Sequence, residues 1–119
     1  MTESTLHPSL YHYRAKLLRV VDGDTVNLEI DLGLDVKRQI KCRLFGLNAP
    51  EKNTVEGKSA AAWLVERLTR CTSIVVQTHK DRTEKFGRYL VTLYDELYAC
   101  INLEMIGAGH AKEYYGGKR

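Results

Sequence analysis

Little in this chain marks a specialised scaffold. Its three cysteines, Cys42, Cys71 and Cys100, are widely spaced, odd in number and form no CxxC pair. That pattern disfavours a disulfide framework or a zinc ribbon and suits a reducing cytoplasm, where each cysteine is expected as a small buried side chain in an apolar element. The four histidines, His7, His12, His79 and His110, share no close ligand spacing, which disfavours zinc chemistry. Prolines number only two and 44% of residues are hydrophobic, so a disordered linker is disfavoured as well. No stretch approaches the roughly 20 apolar residues that cross a bilayer. Met1 to Pro8 shows no basic patch leading into an apolar core. No membrane partner is therefore expected, and the expected compartment is the cytoplasm unless a leader was removed beforehand.

What is present is enough for one compact domain. A chain of 119 residues has little stability to spare for a second core. The expectation is an N-terminal arm over residues 1–10 followed by a single domain over 11–119, as a monomer. Eighteen Lys and Arg against 15 Asp and Glu give a formal charge of +3. That balance mildly favours a polyanionic partner and decides nothing alone.

Alternation carries most of the structural signal. Tyr11, Tyr13, Ala15 and Leu17 alternate with polar residues, as in a strand covered on one face. Val20 to Val26 encloses the tight turn Asp22-Gly23-Asp24, whose aspartates are expected to stay exposed, and Val26, Leu28 and Ile30 resume the alternation. Gly33 and Asp35 turn the chain into a strand over Val36 to Phe45. There Ile40, Cys42 and Leu44 share the inner face, leaving Arg43 outside, either as a ligand contact or as a solvated strand arginine. Pro50 ends this run and places Asn48 and Glu51 on a loop. Ser59 to Arg70 then reads as a helix with Ala61, Leu64, Val65 and Leu68 inward, Glu66, Arg67 and Arg70 in water, and Trp63 packing on its flank. Strands are expected over Ile74 to Thr78, Arg88 to Tyr94 and Leu97 to Cys100, with a charged loop from His79 to Lys85 and a short helix over Ile101 to Ile106. The resulting class is mixed α/β, mainly β, with about five strands and two helices in a small barrel.

An acidic turn and a proline-stiffened acidic loop offer hard oxygen ligands of the kind Ca²⁺ and Mg²⁺ prefer. Each motif alone also reads as ordinary turn chemistry, with Asp22 or Asp24 as caps and Glu51 as a solvated charge. The combination is more specific. Val21-Asp22-Gly23-Asp24-Thr25-Val26, then Arg43-Leu44-Phe45-Gly46-Leu47-Asn48-Ala49-Pro50-Glu51, then Lys85-Phe86-Gly87-Arg88, resembles the staphylococcal (thermonuclease-like) nuclease family in order and approximate spacing, over about Lys16 to Tyr115.

The resemblance implies an OB-like five-stranded barrel with two packed helices. It also implies a calcium-dependent nuclease acting on single-stranded or duplex DNA, with RNA as a further candidate, and leaving 3′-phosphate ends with little base selectivity. By resemblance, Asp24 ligates Ca²⁺, with Asp22 beside the ion and Ala49 contributing its backbone carbonyl. Glu51 positions or activates water, Arg43 and Arg88 hold the phosphate, and Lys85 and Tyr115 add phosphate contacts. Asn48 stands where the family usually has a second metal-binding aspartate, and its amide oxygen is a ligand without formal charge. That departure keeps open a weakened nucleic-acid-binding module. The segment from Glu51 to Gly57 is also shorter than the prototype's surface loop.

Overall fold

The computed structural model describes residues 10–83 and 89–114. His12–Asp22 forms β1, Thr25–Gly33 β2 and Val36–Leu44 β3. They run as consecutive antiparallel hairpins, with Val20 opposite Val26 and Leu28 opposite Ile40. The expected alternation holds in β2, where Val26, Leu28 and Ile30 are buried while Asn27 and Glu29 are only partly covered. Next come β4 (Leu47–Asn48), α1 (Val55–Thr69), β5 (Ile74–Thr83), β6 (Tyr89–Tyr94), α2 (Ile101–Gly107) and β7 (Lys112–Glu113).

The first three strands close with β6 and β5 into a barrel of order β1-β2-β3-β6-β5, an OB-like architecture with two helices against it. Closure depends on β3 and β6 pairing in parallel, which requires a long crossover; α1 and β5 supply it. Val26, Leu28, Cys42, Leu44, Val76, Val91 and Leu93 form one cluster with Leu64 and Leu68 of α1 and Ile101 and Met105 of α2. Full burial of each leucine is worth roughly 1.5–3 kcal/mol, so these contacts, rather than local propensity, hold the helices down.

Several expectations are corrected. Helix α1 begins at Val55 instead of Ser59, because Thr54 caps it, its hydroxyl accepting the Gly57 N–H at 2.9 Å. The buried face of α1 carries Ala60, Leu64, Arg67 and Leu68. Arg67, expected in water, is 8% exposed, and Val65, expected inward, is 45% exposed. Arg67 tolerates burial because Nη2 donates to Asp95 Oδ2 at 2.6 Å and Nε donates to Glu104 Oε1 at 2.6 Å. Strand β5 runs on to Thr83 through part of the expected loop. The expected strand from Leu97 to Cys100 is reduced to an isolated bridge between Tyr94 and Cys100. Asp95 Oδ1 accepts the N–H groups of Leu97 and Ala99 there and bends the chain into a turn. Only Cys42 is buried, whereas Cys71 and Cys100 are partly exposed. The small β4–β7 sheet was not foreseen. Among the described residues no helix is long and apolar enough to cross a membrane.

Candidate active site

Two turns meet at one end of the barrel. Asp22, Gly23 and Asp24 join β1 to β2, and Ala49 to Glu51 follow β4. Gly23 is what lets them touch: a Cβ there would lie 2.9 Å from the Cβ atoms of both Ala49 and Ala60. Any larger residue would push the acidic turn off the loop and off α1. Opposite, β7 pairs with β4 and sets Asn48 across from Lys112, so a late segment of the chain braces an early site residue.

The side chains converge on Asp24. Arg43 Nη2 donates to Asp24 Oδ2 at 2.9 Å and to Asn48 Oδ1 at 2.8 Å. The Ala49 N–H donates to the same Asp24 oxygen at 3.1 Å, and Thr25 Oγ1 donates to Asp24 Oδ1 at 3.1 Å. Asp22 Oδ1 accepts the Asp24 N–H at 3.1 Å. Asp24 is thereby 6% exposed and not the solvent-facing turn residue expected. Arg43 is likewise buried against the acid instead of standing outside the strand, since the β4 segment folds over it.

Burial pushes both aspartates upward. In Asp24 that push is outweighed by hydrogen bonding with Asp22, by the Ala49 N–H and by the Arg43 charge, so its carboxyl lies below the ordinary range. Asp22, half-buried, lies above it, through burial first and then through its contact with Asp24.

Of the residues expected at the site, Asp24, Asn48, Arg43 and Ala49 are in direct contact, and Asp22 touches the Asp24 backbone. Ala49 makes its contact through N–H. Glu51 is exposed on the same loop, its carbonyl accepting the N–H of Thr54 at 3.0 Å and the Thr54 hydroxyl at 2.7 Å. Lys85, Arg88 and Tyr115 lie outside the described residues. Sequence reading missed Thr25, Thr54 and Gly57; a capping threonine ahead of a helix is the signal that was available for Thr54.

A family model described as Staphylococcal nuclease homologue matches residues 41–119. The chain belongs to the staphylococcal nuclease family. It is 30% identical over 114 residues to Endonuclease YhcR of Bacillus subtilis (strain 168), covering 87% of this chain and 9% of that protein. It is 30% identical over 98 residues to Protein ParB of Escherichia coli, covering 82% of this chain and 48% of that one. A protein of Escherichia coli O157:H7 named as an uncharacterized endonuclease is 28% identical over 99 residues, with 83% and 60% coverage. The chain thus spans less than two thirds of the length of each of these relatives.

Whether the Asp24–Arg43–Asn48 cluster of this staphylococcal nuclease family member suits a divalent cation turns on its donors. A carboxylate oxygen of Asp24 and the amide oxygen of Asn48 both lie within hydrogen-bond reach of one positive nitrogen, Arg43 Nη2. Two hard oxygens from separate segments therefore converge on one point, which the Arg43 guanidinium occupies in this structure. Among the described residues no three of His, Cys, Asp and Glu gather as a metal cluster. A divalent cation here would therefore have only Asp22 and Asp24 as carboxylates, with neutral oxygens to complete its shell.

Proposed function

We propose that this barrel is a calcium-dependent endonuclease domain that hydrolyses phosphodiester bonds in single-stranded or duplex DNA, and in RNA as a further substrate, leaving 3′-phosphate ends. The observation that supports it most is the buried Arg43 guanidinium, fixed by Asp24 and Asn48 at a site shared with the Glu51 loop. A planar donor fork preorganised in this way costs little to orient toward a phosphate, and its burial strengthens the electrostatic stabilisation it offers. Arg88 supplies a second guanidinium, and Lys85 and Tyr115 grip the neighbouring phosphates. Glu51, exposed to solvent, orients a water for in-line attack. Asp24, Asp22, the Asn48 amide and the Ala49 carbonyl would hold Ca²⁺, which when bound polarises a phosphate oxygen.

Purified protein incubated with single-stranded and duplex DNA in Ca²⁺ or EDTA tests this reading, with Arg43→Ala, Glu51→Gln and end-group analysis of the products. Cleavage is expected only with metal and should collapse in both variants; metal-independent cleavage indifferent to both substitutions would reject the mechanism. A second reading, nucleic-acid binding without useful catalysis, draws on Asn48, which brings no formal charge to the ion. Saturable binding without product across Ca²⁺, Mg²⁺ and Mn²⁺ would favour it.

A further inference from the structure

The Glu51 side chain is exposed. Its backbone, in contrast, is held from two directions. The Glu51 carbonyl accepts both the N–H and the hydroxyl of Thr54, and that hydroxyl in turn accepts the Gly57 N–H at 2.9 Å. Gly57 closes the seat sterically. A Cβ built on it would lie 1.8 Å from the Glu51 carbonyl oxygen, 2.5 Å from its carbon and 2.9 Å from Lys52 Cα, all below the 3.0 Å floor of real Cβ contacts. All three obstacles are backbone atoms.

Gly57 is helical, so no special backbone angle calls for glycine there. Glycine instead costs α1 up to about 1 kcal/mol relative to alanine. A residue that breaks a local rule in the first turn of a 15-residue helix needs a compensating reason, and the close approach of the Glu51 backbone is the one present. The same helix also sets the other half of the site. Ala60 packs against Gly23 of the acidic turn, and Leu64 and Leu68 root α1 in the core. One rigid element thus holds the Glu51 loop on one side and the Asp22–Asp24 turn on the other.

We infer that Thr54 and Gly57 are positioning residues that set the Glu51 carboxylate against the Asp24–Arg43 cluster. This rests on Glu51 being the water-orienting group. A side chain at position 57 would drive the Glu51 carbonyl away by more than an ångström, a displacement that can cost about a hundredfold in the chemical step.

The test uses the full chain, with kcat and KM measured in saturating Ca²⁺ and thermal unfolding recorded for every variant. Gly57→Ala and Thr54→Val should each lower kcat about ten- to hundredfold while KM for DNA changes by less than about threefold. Thr54→Ser keeps the hydroxyl and should restore kcat. Gly107→Ala, at a helical glycine with nothing within 4 Å, should leave kcat unchanged. The decisive variant is Gly57→Ala combined with Glu51→Gln: it should be no slower than Glu51→Gln alone, because a residue acting only through Glu51 has nothing left to position. Unchanged kcat in Gly57→Ala and Thr54→Val, or losses that multiply in the double variant, would overturn the inference while leaving the role of Glu51 standing. Full activity in Glu51→Gln would overturn both.

Discussion

Arg67→Met should cost this domain about 3–4 kcal/mol, although methionine is a good helix former and matches the apolar stem it replaces. Asp95 is 7% exposed, and its Oδ2 receives Arg67 Nη2 at 2.6 Å. Removing the guanidinium leaves the Asp95 carboxylate without its cation, and this accounts for most of the loss. Glu104 adds little: its side chain is 38% exposed and rehydrates, so its share is roughly 0–1 kcal/mol. Packing of the methionine offsets about as much again. For 119 residues the whole stability is roughly 6–18 kcal/mol. The loss should appear as a melting temperature lower by roughly 10–20 °C. Urea titration followed by fluorescence and circular dichroism measures it. Arg67→Met with Asp95→Asn should be more stable than the sum of the single losses, since no charge is left stranded. A single-variant loss below about 1 kcal/mol, or strict additivity in the cycle, would refute the reasoning.

The same network gives an acid limb. Asp95 is held below the ordinary aspartate value of 3.8, first by the hydrogen bond from Arg67 and then by the Ala99 N–H. Its contribution is complete above the unfolded carboxylate's range and is lost as pH falls through the lower folded value; the urea midpoint should therefore drop below about pH 4, and drop less in Arg67→Met. Cys42 is fully buried, and burial pushes its thiol up to about 12. Iodoacetamide at about pH 8 should label it only after denaturation, while partly exposed Cys100 reacts in the native protein; equal native labelling would contradict the burial. Asn48→Asp places a carboxylate against Arg43 and Asp24, and calorimetry should show Ca²⁺ binding about tenfold tighter, whereas unchanged affinity would remove Asn48 from the ion.

The hairpins were legible because a strand's two-residue period is local: Val26, Leu28 and Ile30 declare an inner face without reference to any partner. The Asp22-Gly23-Asp24 turn was legible for the same reason, and so was the existence of both helices. The burial of Asp24 was not. A turn aspartate reads as exposed until Arg43, Ala49 and Thr25 are known to surround it, and only the first of these approaches from a separate strand of the sheet. Arg67 is the clearest case. Helical periodicity sends an arginine to water by default, and nothing near it in sequence announces the carboxylates of Asp95 and Glu104 that neutralise it.

Residue order alone determined the inner face of β2, the Asp22-Gly23-Asp24 turn and the family motifs, because each depends on backbone preferences within a few residues. Tertiary structure decided which polar groups are buried and what each one touches. Closing β3 onto β6 and seating α1 against Gly23 brings charges from distant segments into one low-dielectric space, where a carboxylate survives only beside its cation.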